Sequence, residues 1–448
     1  MGEEMAKDYL ETKNQFKIIN SSMLELDKHI KPNNIDSIVT DPPYELNFMN
    51  KGWDNAGVSF NKDTWKKCYE VLKPGGYLLA FGGSRTFHRI ACAIEDAGFE
   101  IRDTIMWLYG SGFPKSMNLG LAIDKKNGVE SKVVGEGKSG VSSRAYQSEE
   151  TTTAGKYEIK QATNEWQGWG TCLKPAFEPI IVARKPFKGS LVDNVLEYGV
   201  GGLNIDECRV ELQENETIAK NVEYKDIKQS DGWGTKKCIT EQSNQGRFPA
   251  NLILTYDETD FDEVCGGFPN SNKPNGSITN PNLHNSLGDN GIFNKYSDKQ
   301  PLWNAYQDSG SASRYFYCAK ASKKDRDEGL DEFKNTTVND GRNTPIDNAF
   351  QRGETPRKNI HPTVKPTTLM QYLIRLVTPK GGTVLDPFMG SGSTGKAVAY
   401  ENNERDANYS FIGIELIKEY CDIAQARITS TWVSNWLDNL LEVEENEN

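Results

Sequence analysis

Residues Val384–Gly395 read VLDPFMGSGSTG, and this stretch indicates the fold class of the chain. Its apolar start, Val384–Leu385, follows the helix-breaking run Pro379–Gly382 and predicts a short buried strand. The glycines behind it allow a tight turn and a close approach of backbone to a ligand before the next helix begins. A strand, a glycine-rich turn and a helix in this order are typical of a ligand-binding unit in a parallel α/β sheet.

The residues of this turn are compatible with two kinds of ligand, a nucleotide or a cationic ligand without phosphate. Gly390–Gly395 spell GxGxxG, which occurs in nucleotide sites, but the string alone is weakly specific and Asp386–Met389 separate it from the strand. A P-loop ending is absent, because Ala397 stands where Ser or Thr would be required. An acidic residue and a proline at the strand end, Asp386 and Pro387, favour a cationic, non-phosphorylated ligand.

Both ends of the chain alternate short apolar runs with helical patterns. The predicted strands are Phe16–Ile19, Ser37–Thr40, Tyr77–Phe81, Ile101–Leu108, Thr383–Leu385 and Phe411–Ile414. The predicted helices are about Lys62–Leu72, Thr86–Ala97, Thr367–Thr378 and one from Lys418. This alternation predicts an α/β fold with a doubly wound, mostly parallel sheet. Neither end has enough strands for a full sheet, so we expect the two ends to combine into one.

A long polar middle separates these ends, and residues 116–357 form the candidate insertion. It holds Asn-, Ser- and Gly-rich loop material and isolated strand-like runs at Asn251–Thr255 and Arg314–Ala319. The predicted division of the chain is a first half at 1–115, the insertion at 116–357, from which 175–186 can return to the sheet, a second half at 358–436 and an acidic tail at 437–448.

Composition limits the classes of protein to consider. The chain of 448 residues has a net charge of -11, which weighs against a simple basic nucleic-acid binder. The charge is uneven, because Lys115–Ser190 holds 12 Lys and Arg against 8 Asp and Glu. The sequence has neither a long uninterrupted apolar run nor a basic-then-apolar N-terminus, so we expect a soluble cytoplasmic protein. The 8 cysteines form no CxxC pair, and we predict no metal site.

Asp41–Tyr44 read DPPY and come directly after the predicted strand Ser37–Thr40. Residues just beyond the carboxyl end of such a strand face the ligand crevice of an open α/β sheet. The prolines fix φ and aim their carbonyls rigidly, so an acidic side chain beside such a carbonyl forms a pair of acceptors. An aromatic amino group requires such a pair, and Tyr44 offers a flat face on which an extruded base can stack. The alternative is a proline-rich turn whose Asp41 caps a helix.

Two further stretches accompany these motifs. Glu415 ends the predicted strand Phe411–Ile414 and can accept both hydroxyls of a ribose, or else serve as an acidic charge at the start of the following helix. His361–Pro366 read HPTVKP directly before a predicted helix, and their alternative is a rigid linker with a proline stop. Their position beside the glycine-rich motif favours a functional role for them.

Together these motifs resemble the DNA amino-methyltransferases that methylate adenine N6 or cytosine N4. The order of DPPY, a long insertion, HPTVKP and DPFMGSG is similar to the permuted β group of that family. Further stretches look like phage and prophage members, namely KGWD at Lys51–Asp54, GFPKS at Gly112–Ser116, GWG at Gly168–Gly170 followed by Lys174-Pro175, and GRFPAN at Gly246–Asn251. The resemblance implies a Rossmann-like methyltransferase sheet with the insertion as its target-recognition region.

The resemblance also implies a role for each residue of the DPPY loop. Asp41 and the Pro42 carbonyl would accept hydrogen bonds from the target amino group, Pro43 would complete the rigid loop, and Tyr44 would stack on the base. Family members usually carry an acidic residue shortly before the DPPY strand, where it meets the adenine of the cofactor. Ser22 has the best-matching position here, which leaves Asp27 or no carboxylate for that contact.

S-adenosyl-L-methionine is the cofactor that the resemblance implies. The residues that would line its methionine and adenine side are Asp386, Pro387, Phe388, Gly390, Ser391 and Gly392. Glu415 would bind the ribose. The residues that would close the pocket over the methionine end are His361, Thr363 and Lys365.

The implied reaction is a direct in-line methyl transfer to the amino nitrogen of a flipped-out base. We favour adenine N6 over cytosine N4 because the loop begins with Asp rather than Ser. A C5-cytosine mechanism is disfavoured because no cysteine follows a proline. Methylation of RNA or of a protein glutamine predicts Asn in place of Asp41, and an inactive DNA-binding homologue predicts a broken motif.

Double-stranded DNA is the implied partner. The candidate phosphate contacts belong to a basic and aromatic stretch with Arg314, Lys320, Lys323 and Lys324, for which a solvated face is the alternative. Resembling enzymes are often homodimers, and those of restriction-modification systems work beside a cognate restriction enzyme. A homodimer and such a partner are therefore further expectations.

Overall fold

The computed structural model describes residues 15–46, 54, 57–109, 116–138, 156–212, 218–225, 237–243, 245–255, 270–271, 310–311, 316–318, 323–338 and 355–446. The chain divides into two compact units, the first made of Met1–Glu207, Asn251–Thr255 and Ala319–Asn448 and the second of Cys208–Ala250 and Tyr256–Cys318.

The described strands are β1 (Phe16–Asn20), β2 (Ile35–Thr40), β3 (Leu72–Phe81), β4 (Glu100–Tyr109), β5 (Lys132–Lys138), β6 (Lys156–Gln161), β7 (Phe177–Arg184), β8 (Ile218–Lys225), β9 (Lys237–Ser243), β10 (Leu252–Thr255), β11 (Asn270–Ser271), β12 (Gly310–Ser311), β13 (Tyr317–Cys318), β14 (Thr336–Val338), β15 (Thr355–Arg357), β16 (Thr383–Asp386) and β17 (Ser410–Glu415). The described α-helices are α1 (Leu26–His29), α2 (Lys62–Val71), α3 (Phe87–Asp96), α4 (Leu119–Asn127), α5 (Leu191–Tyr198), α6 (Lys323–Asp327), α7 (Thr367–Val377), α8 (Ser393–Arg405) and α9 (Lys418–Asn446).

Strands of the first unit form one large sheet in the order β1-β17-β16-β2-β3-β7-β4-β10. Neighbouring strands run parallel except at β7, which is antiparallel to both β3 and β4. Two strands from the end of the chain, β16 and β17, lie between β1 and β2 from its beginning. The predicted α/β fold with a mostly parallel sheet built from both chain ends is therefore confirmed.

The middle of the chain also supplies strands to this sheet. β7 pairs with β3 from Tyr77↔Arg184 to Phe81↔Ile180, and its opposite edge pairs with β4. Ile180–Ala183 are all buried, as expected for a strand with neighbours on both sides. β10 pairs parallel with β4. Residues 175–186, which the sequence allows to return to the sheet, contain β7.

Described pairings within the second unit are short and local. β8 and β9 form an antiparallel pair that runs from Ile218↔Ser243 to Lys225↔Lys237. β11 pairs antiparallel with β12, and an isolated bridge joins Val210 to Arg247. This unit holds most of the polar loop material that the sequence analysis recognised.

Helices α2 and α3 pack on one face of the large sheet. The side chain of Asn61 caps α2 by accepting a hydrogen bond from the Asp63 amide, and Trp65 and Cys68 are buried at helical spacing along it. They join one hydrophobic cluster with Leu78, Ala80, Ile90 and Ile94. Because strand residues alternate in direction, the odd-numbered neighbours in β3 face the opposite side.

β3 begins earlier than the predicted strand Tyr77–Phe81, because Leu72–Gly76 also belong to it. Its pairing with β2 is irregular there, since Ile35 lies beside Leu72 and Ser37 lies beside Tyr77. The Gly75 amide donates to the Lys185 carbonyl at 3.0 Å, and the Lys185 amide donates to the Gly76 carbonyl at 2.9 Å. Lys73–Gly76 therefore bulge out of the ladder with β2, the bonds to Lys185 hold this segment in place, and glycine permits the φ of 81° at Gly75.

The last helix is longer than the sequence suggested. α9 continues to Asn446, through most of the predicted acidic tail, since Glu and Leu both favour helix. No helix in the described part of the chain is long and apolar enough to cross a membrane.

Candidate active site

The parallel pairing of β16 with β2 brings the two principal motifs together. Leu385 lies beside Ile38 in the register, so both strands end at the same edge of the sheet. The Thr40 hydroxyl donates to Asp386 Oδ1 at 2.6 Å, although 346 positions separate the two residues in sequence. The DPPY loop and the glycine-rich turn therefore start from adjacent points.

A cavity of about 1400 Å³ lies at this edge. Residues of all four predicted motifs line it, namely Asp41, Pro42, Pro43, Tyr44, His361, Thr363, Lys365, Asp386, Pro387, Phe388, Gly390, Ser391 and Glu415. Gly392 is not among the lining residues and instead precedes α8 at a φ of 80°. Single-ligand pockets are typically about 300–1,000 Å³. The cavity can therefore hold a cofactor and a second reactant together.

Asp386 fixes the start of the glycine-rich turn through hydrogen bonds. Its carboxylate accepts hydrogen bonds from Thr40, from the Thr394 hydroxyl at 2.5 Å and from the Phe388 amide at 3.1 Å. Burial raises the pKa of Asp386 to about 6, and the hydroxyl donors counteract that rise. The side chain thus fixes the first turn after β16.

Glu415 and His361 hold Gly390 from two sides. The Gly390 amide donates to Glu415 Oε2 and the Ile417 amide donates to Glu415 Oε1, both at 2.8 Å. A Cβ at Gly390 would lie 2.8 Å from His361 Nε2, so only glycine fits there. Both carboxylate oxygens of Glu415 keep a further lone pair for a ligand in the cavity.

His361 is a neutral acceptor. Burial lowers the pKa of its imidazole to about 4. Its Nδ1 lies 2.5 Å from the Thr363 carbonyl, which can only accept, so Nδ1 carries the proton and Nε2 is the acceptor. The ring also packs edge-on against Tyr420, with 4.7 Å between the centroids.

On the opposite side of the cavity, Lys365 contacts the DPPY loop. Its Nζ lies 2.7 Å from Asp41 Oδ2, 3.2 Å from the Tyr44 hydroxyl and 3.3 Å from Glu178 Oε2. Asp41 Oδ1 is buried and has no hydrogen-bond partner among the described residues. The Pro42 carbonyl, too, accepts no hydrogen bond from the described part of the chain. Both oxygens therefore lack a donor among the described residues, and their role as an acceptor pair stays a prediction.

Glu178 is a site residue that the sequence analysis missed. It belongs to β7, accepts a hydrogen bond from the Tyr44 hydroxyl at 2.9 Å and lines the cavity. The available signal was an acidic residue directly before the apolar run Pro179–Ala183. A buried central strand does not normally begin with a carboxylate unless that group has a partner.

Asp54 and Ser59 were also missed, and they support the DPPY loop. Asp54 accepts hydrogen bonds from the Glu45 amide at 2.9 Å and from the Leu46 amide at 3.2 Å. The Ser59 hydroxyl donates to the Pro43 carbonyl at 2.6 Å. Asp54 ends the KGWD stretch that the resemblance brought out, although nothing in that stretch indicated its function.

The residues around the glycine-rich turn fit S-adenosyl-L-methionine. Gly390 leaves room for the ligand, Phe388 and Met389 supply apolar surface, and the carboxylate of Glu415 can accept hydroxyl groups. Ser22 lines the cavity, whereas Asp27 does not and instead pairs with Lys67 at 2.9 Å. Asp27 is therefore not placed to meet the adenine of the cofactor.

The predicted DNA contacts fall outside the described residues. Arg314 and Lys320 are not described, and for Lys323 and Lys324 only the backbone is, at the start of α6. Their role as phosphate contacts stays a prediction.

Known proteins resemble parts of this chain. Type II methyltransferase M.HindIII of Haemophilus influenzae is 24% identical over 146 residues, which are 32% of this chain and 37% of that protein. Type II methyltransferase M.HpaI of Haemophilus parainfluenzae is 34% identical over 107 residues, or 22% of this chain and 34% of that protein. The matches thus span about a third of the length of these relatives.

Solved structures resemble it over most of its length but loosely. The M1.HpyAVI-SAM complex has a TM-score of 0.35 and 15% identity, covering 92% of this chain and 99% of that one. The cytosine-N4-specific PvuII DNA methyltransferase has a TM-score of 0.39 and 13% identity, covering 94% and 92%.

The family model described as DNA methylase matches residues 35–200 and 202–426. These ranges contain the DPPY loop, HPTVKP, the glycine-rich turn and Glu415, which are the elements that line the cavity. The match covers well over half of the chain. This chain therefore belongs to the N6/N4 DNA methylase family, whose cofactor is S-adenosyl-L-methionine.

Proposed function

We propose that this protein transfers a methyl group from S-adenosyl-L-methionine to N6 of adenine in double-stranded DNA, after the base has flipped into the cavity. The observation that carries the proposal is Asp41 Oδ1, a buried acceptor without a partner among the described residues, beside the Pro42 carbonyl. A buried carboxylate oxygen is costly to leave unpaired, so a ligand that donates to it is favoured. An exocyclic amino group is such a donor.

The chain's own residues contribute position and charge to this reaction. Asp41 Oδ1 and the Pro42 carbonyl accept the two amino hydrogens, which directs the nitrogen lone pair towards the methyl donor. The ring of Tyr44 stacks on the extruded base. The bound cofactor would supply an electrophilic methyl group, whose bond to sulfur would break, with the electron pair kept by sulfur, as the bond to nitrogen forms. One amino proton would then pass to solvent. No covalent bond to the protein is needed.

The cofactor side of the cavity is assigned to the glycine-rich turn. Phe388 and Gly390 would contact the cofactor, and Glu415 would bind its ribose hydroxyls. His361 and Thr363 would close the cavity over its methionine end. The support for this assignment is that all of them line one cavity with Asp41. DNA-phosphate contacts by the stretch around Lys320 remain part of the proposal.

Adenine is preferred to cytosine because the acceptor loop begins with an acidic residue, Asp41. The test treats DNA with purified protein and labelled S-adenosyl-L-methionine and identifies the modified nucleoside by mass spectrometry. N6-methyladenine is the expected product. N4-methylcytosine alone would overturn the choice of base, and no methylated nucleoside would overturn the enzymatic proposal.

The choice of DNA as the methyl acceptor is tested with the same purified protein. Transfer to RNA or to a protein glutamine in place of DNA would move the protein to another class of methyltransferase. Mapping methylated bases in the genome of an expressing host would give the recognition sequence. Cytoplasmic location, a homodimer and a cognate restriction enzyme remain expectations from the sequence.

A further inference from the structure

A buried lysine joins two carboxylates at the base side of the cavity. Lys365 is only 7% exposed, and its Nζ lies within 2.7 Å of Asp41 Oδ2 and 3.3 Å of Glu178 Oε2. Burial acts to lower the pKa of Lys365, but the two carboxylates outweigh it and the net shift is upward. The lysine therefore stays charged, and it occupies one oxygen of each carboxylate.

Glu178 also holds the aromatic ring of the loop. The Tyr44 hydroxyl donates to Glu178 Oε2 at 2.9 Å, while Lys365 Nζ lies 5.4 Å from the centre of the Tyr44 ring. The Tyr109 hydroxyl lies 3.5 Å from the other oxygen, Glu178 Oε1. Three chain segments that are far apart in sequence thus meet at Glu178. Burial of the Tyr44 ring raises the pKa of Tyr44, so its hydroxyl stays protonated and remains a donor.

The two carboxylate oxygens of Asp41 therefore have different surroundings. Oδ2 is committed to Lys365, whereas Oδ1 is buried without a partner among the described residues. Removing the carboxylate of Glu178 would leave Asp41 as the remaining carboxylate on Lys365 and would take away the acceptor of the Tyr44 hydroxyl. Both the acceptor and the stacking ring would then lose a fixed position.

We propose that Glu178 and Lys365 are positioning residues for methyl transfer, which hold Asp41 and Tyr44 in the arrangement that the target base meets. This inference rests on the proposed function, because it concerns the same site. Neither side chain needs to touch the transferred methyl group. Glu178 acts through the hydroxyl of Tyr44 and through Lys365, so its loss affects turnover rather than cofactor binding.

The experiment is a double-mutant cycle with Glu178→Ala and Tyr44→Phe in the full-length protein. Each single variant is expected to lower kcat for DNA methylation by about tenfold, while the Kd for S-adenosyl-L-methionine changes by less than about twofold. The double variant is expected to be about as slow as Glu178→Ala, because each change removes the hydrogen bond between Tyr44 and Glu178. Glu158→Ala on β6, whose side chain is 57% exposed, is the matched control and should have wild-type kcat.

Two results would overturn the inference. Independent, multiplying losses in the double variant would show that Glu178 does not act through Tyr44, and a Kd for S-adenosyl-L-methionine weakened as much as kcat would indicate general damage to the cavity. Tyr44→Phe removes a single oxygen atom, so it keeps the inference testable even where Glu178→Ala unfolds. Thermal unfolding of each variant identifies that case.

A crystal structure of Glu178→Ala separates this inference from the proposed function. A displaced Tyr44 ring or a reoriented Asp41 carboxylate would support positioning by Glu178, and an unchanged loop would contradict it. Absence of methyl transfer by the wild-type protein would instead contradict the proposed function and would leave the crystallographic comparison valid.

Discussion

Asp41 presents one oxygen to Lys365 and a second, buried oxygen to the cavity. In Asp41→Ala the acceptor for the target amino group is lost, while the glycine-rich turn keeps its contacts. We expect the rate of methyl transfer to fall by a factor on the order of a hundred or more. Single-turnover kinetics with labelled cofactor measure this rate.

The control for Asp41→Ala is cofactor binding, because in the proposed mechanism Asp41 hydrogen-bonds to the base and not to the cofactor. Isothermal titration should give a Kd for S-adenosyl-L-methionine within about twofold of wild type. Retained turnover in the variant would remove Asp41 from the mechanism. Lost cofactor binding would assign it to the other half of the cavity.

Asp386 gives the stability of the protein a specific pH dependence. Burial raises its pKa to about 6 from the ordinary 3.8, so between these values the folded chain holds a proton that the unfolded chain has released. The contribution of this group therefore grows as the pH falls through 6. Going from about pH 7.5 to about pH 5 should raise the free energy of unfolding by about 1 kcal/mol through Asp386.

Asp386→Asn isolates this contribution, since the amide does not titrate. Denaturant unfolding of both proteins at the two pH values gives the free energy of unfolding of each. The other titrating groups contribute equally to both proteins, so they cancel in the difference between wild type and variant. We expect the wild-type protein to gain relative to the variant at the lower pH. A difference that is the same at both values would mean that Asp386 has an ordinary pKa in the folded chain.

The turn between β16 and α8 depends on glycine for two separate reasons. Gly390 has a φ of 55°, and an added Cβ would meet His361 Nε2 at 2.8 Å. Gly390→Ala should therefore weaken the binding of S-adenosyl-L-methionine by a factor on the order of ten, because the turn and the imidazole must move apart. Isothermal titration measures the affinity.

Gly381→Ala is the matched control within the same half of the chain. Gly381 has a φ of 78°, yet an added Cβ there would meet nothing within 4 Å. Both variants should lose about 1 kcal/mol of stability from the strained backbone, but only Gly390→Ala should lose affinity. Equal affinities for the two variants would mean that Gly390 does not approach the ligand.

At the scale of elements, local pattern predicted most of the sheet. The helices α2, α3 and α7 lie within one residue of their expected bounds, because their buried faces recur at helical spacing. β7 was harder to place, because its position between β3 and β4 depends on antiparallel pairing with strands from other parts of the chain. Periodicity identifies an apolar run as a strand but does not specify its neighbours.

The whole molecule depends on strands from both ends of the chain. β1 pairs with β17 and β2 pairs with β16, so a fragment of residues 1–207 lacks a neighbour for each of these strands. We expect this fragment to show no cooperative thermal transition by circular dichroism, whereas the full chain does. A cooperative transition in the fragment would contradict the composite sheet as the folding unit.

The amino-acid sequence is enough to predict the candidate site residues, because Asp41–Tyr44 and Asp386–Gly395 each follow a recognisable predicted strand and use residue types with narrow conformational roles. Which of these residues lie side by side follows only from the tertiary structure. The family resemblance assigned Lys365 to the cofactor, whereas in the structure Lys365 forms an ion pair with Asp41. Glu178, on β7, contacts Tyr44 of the same loop. The physical reason is that side-chain direction and burial are local properties, whereas the order of strands in a parallel sheet is set by contacts between distant segments.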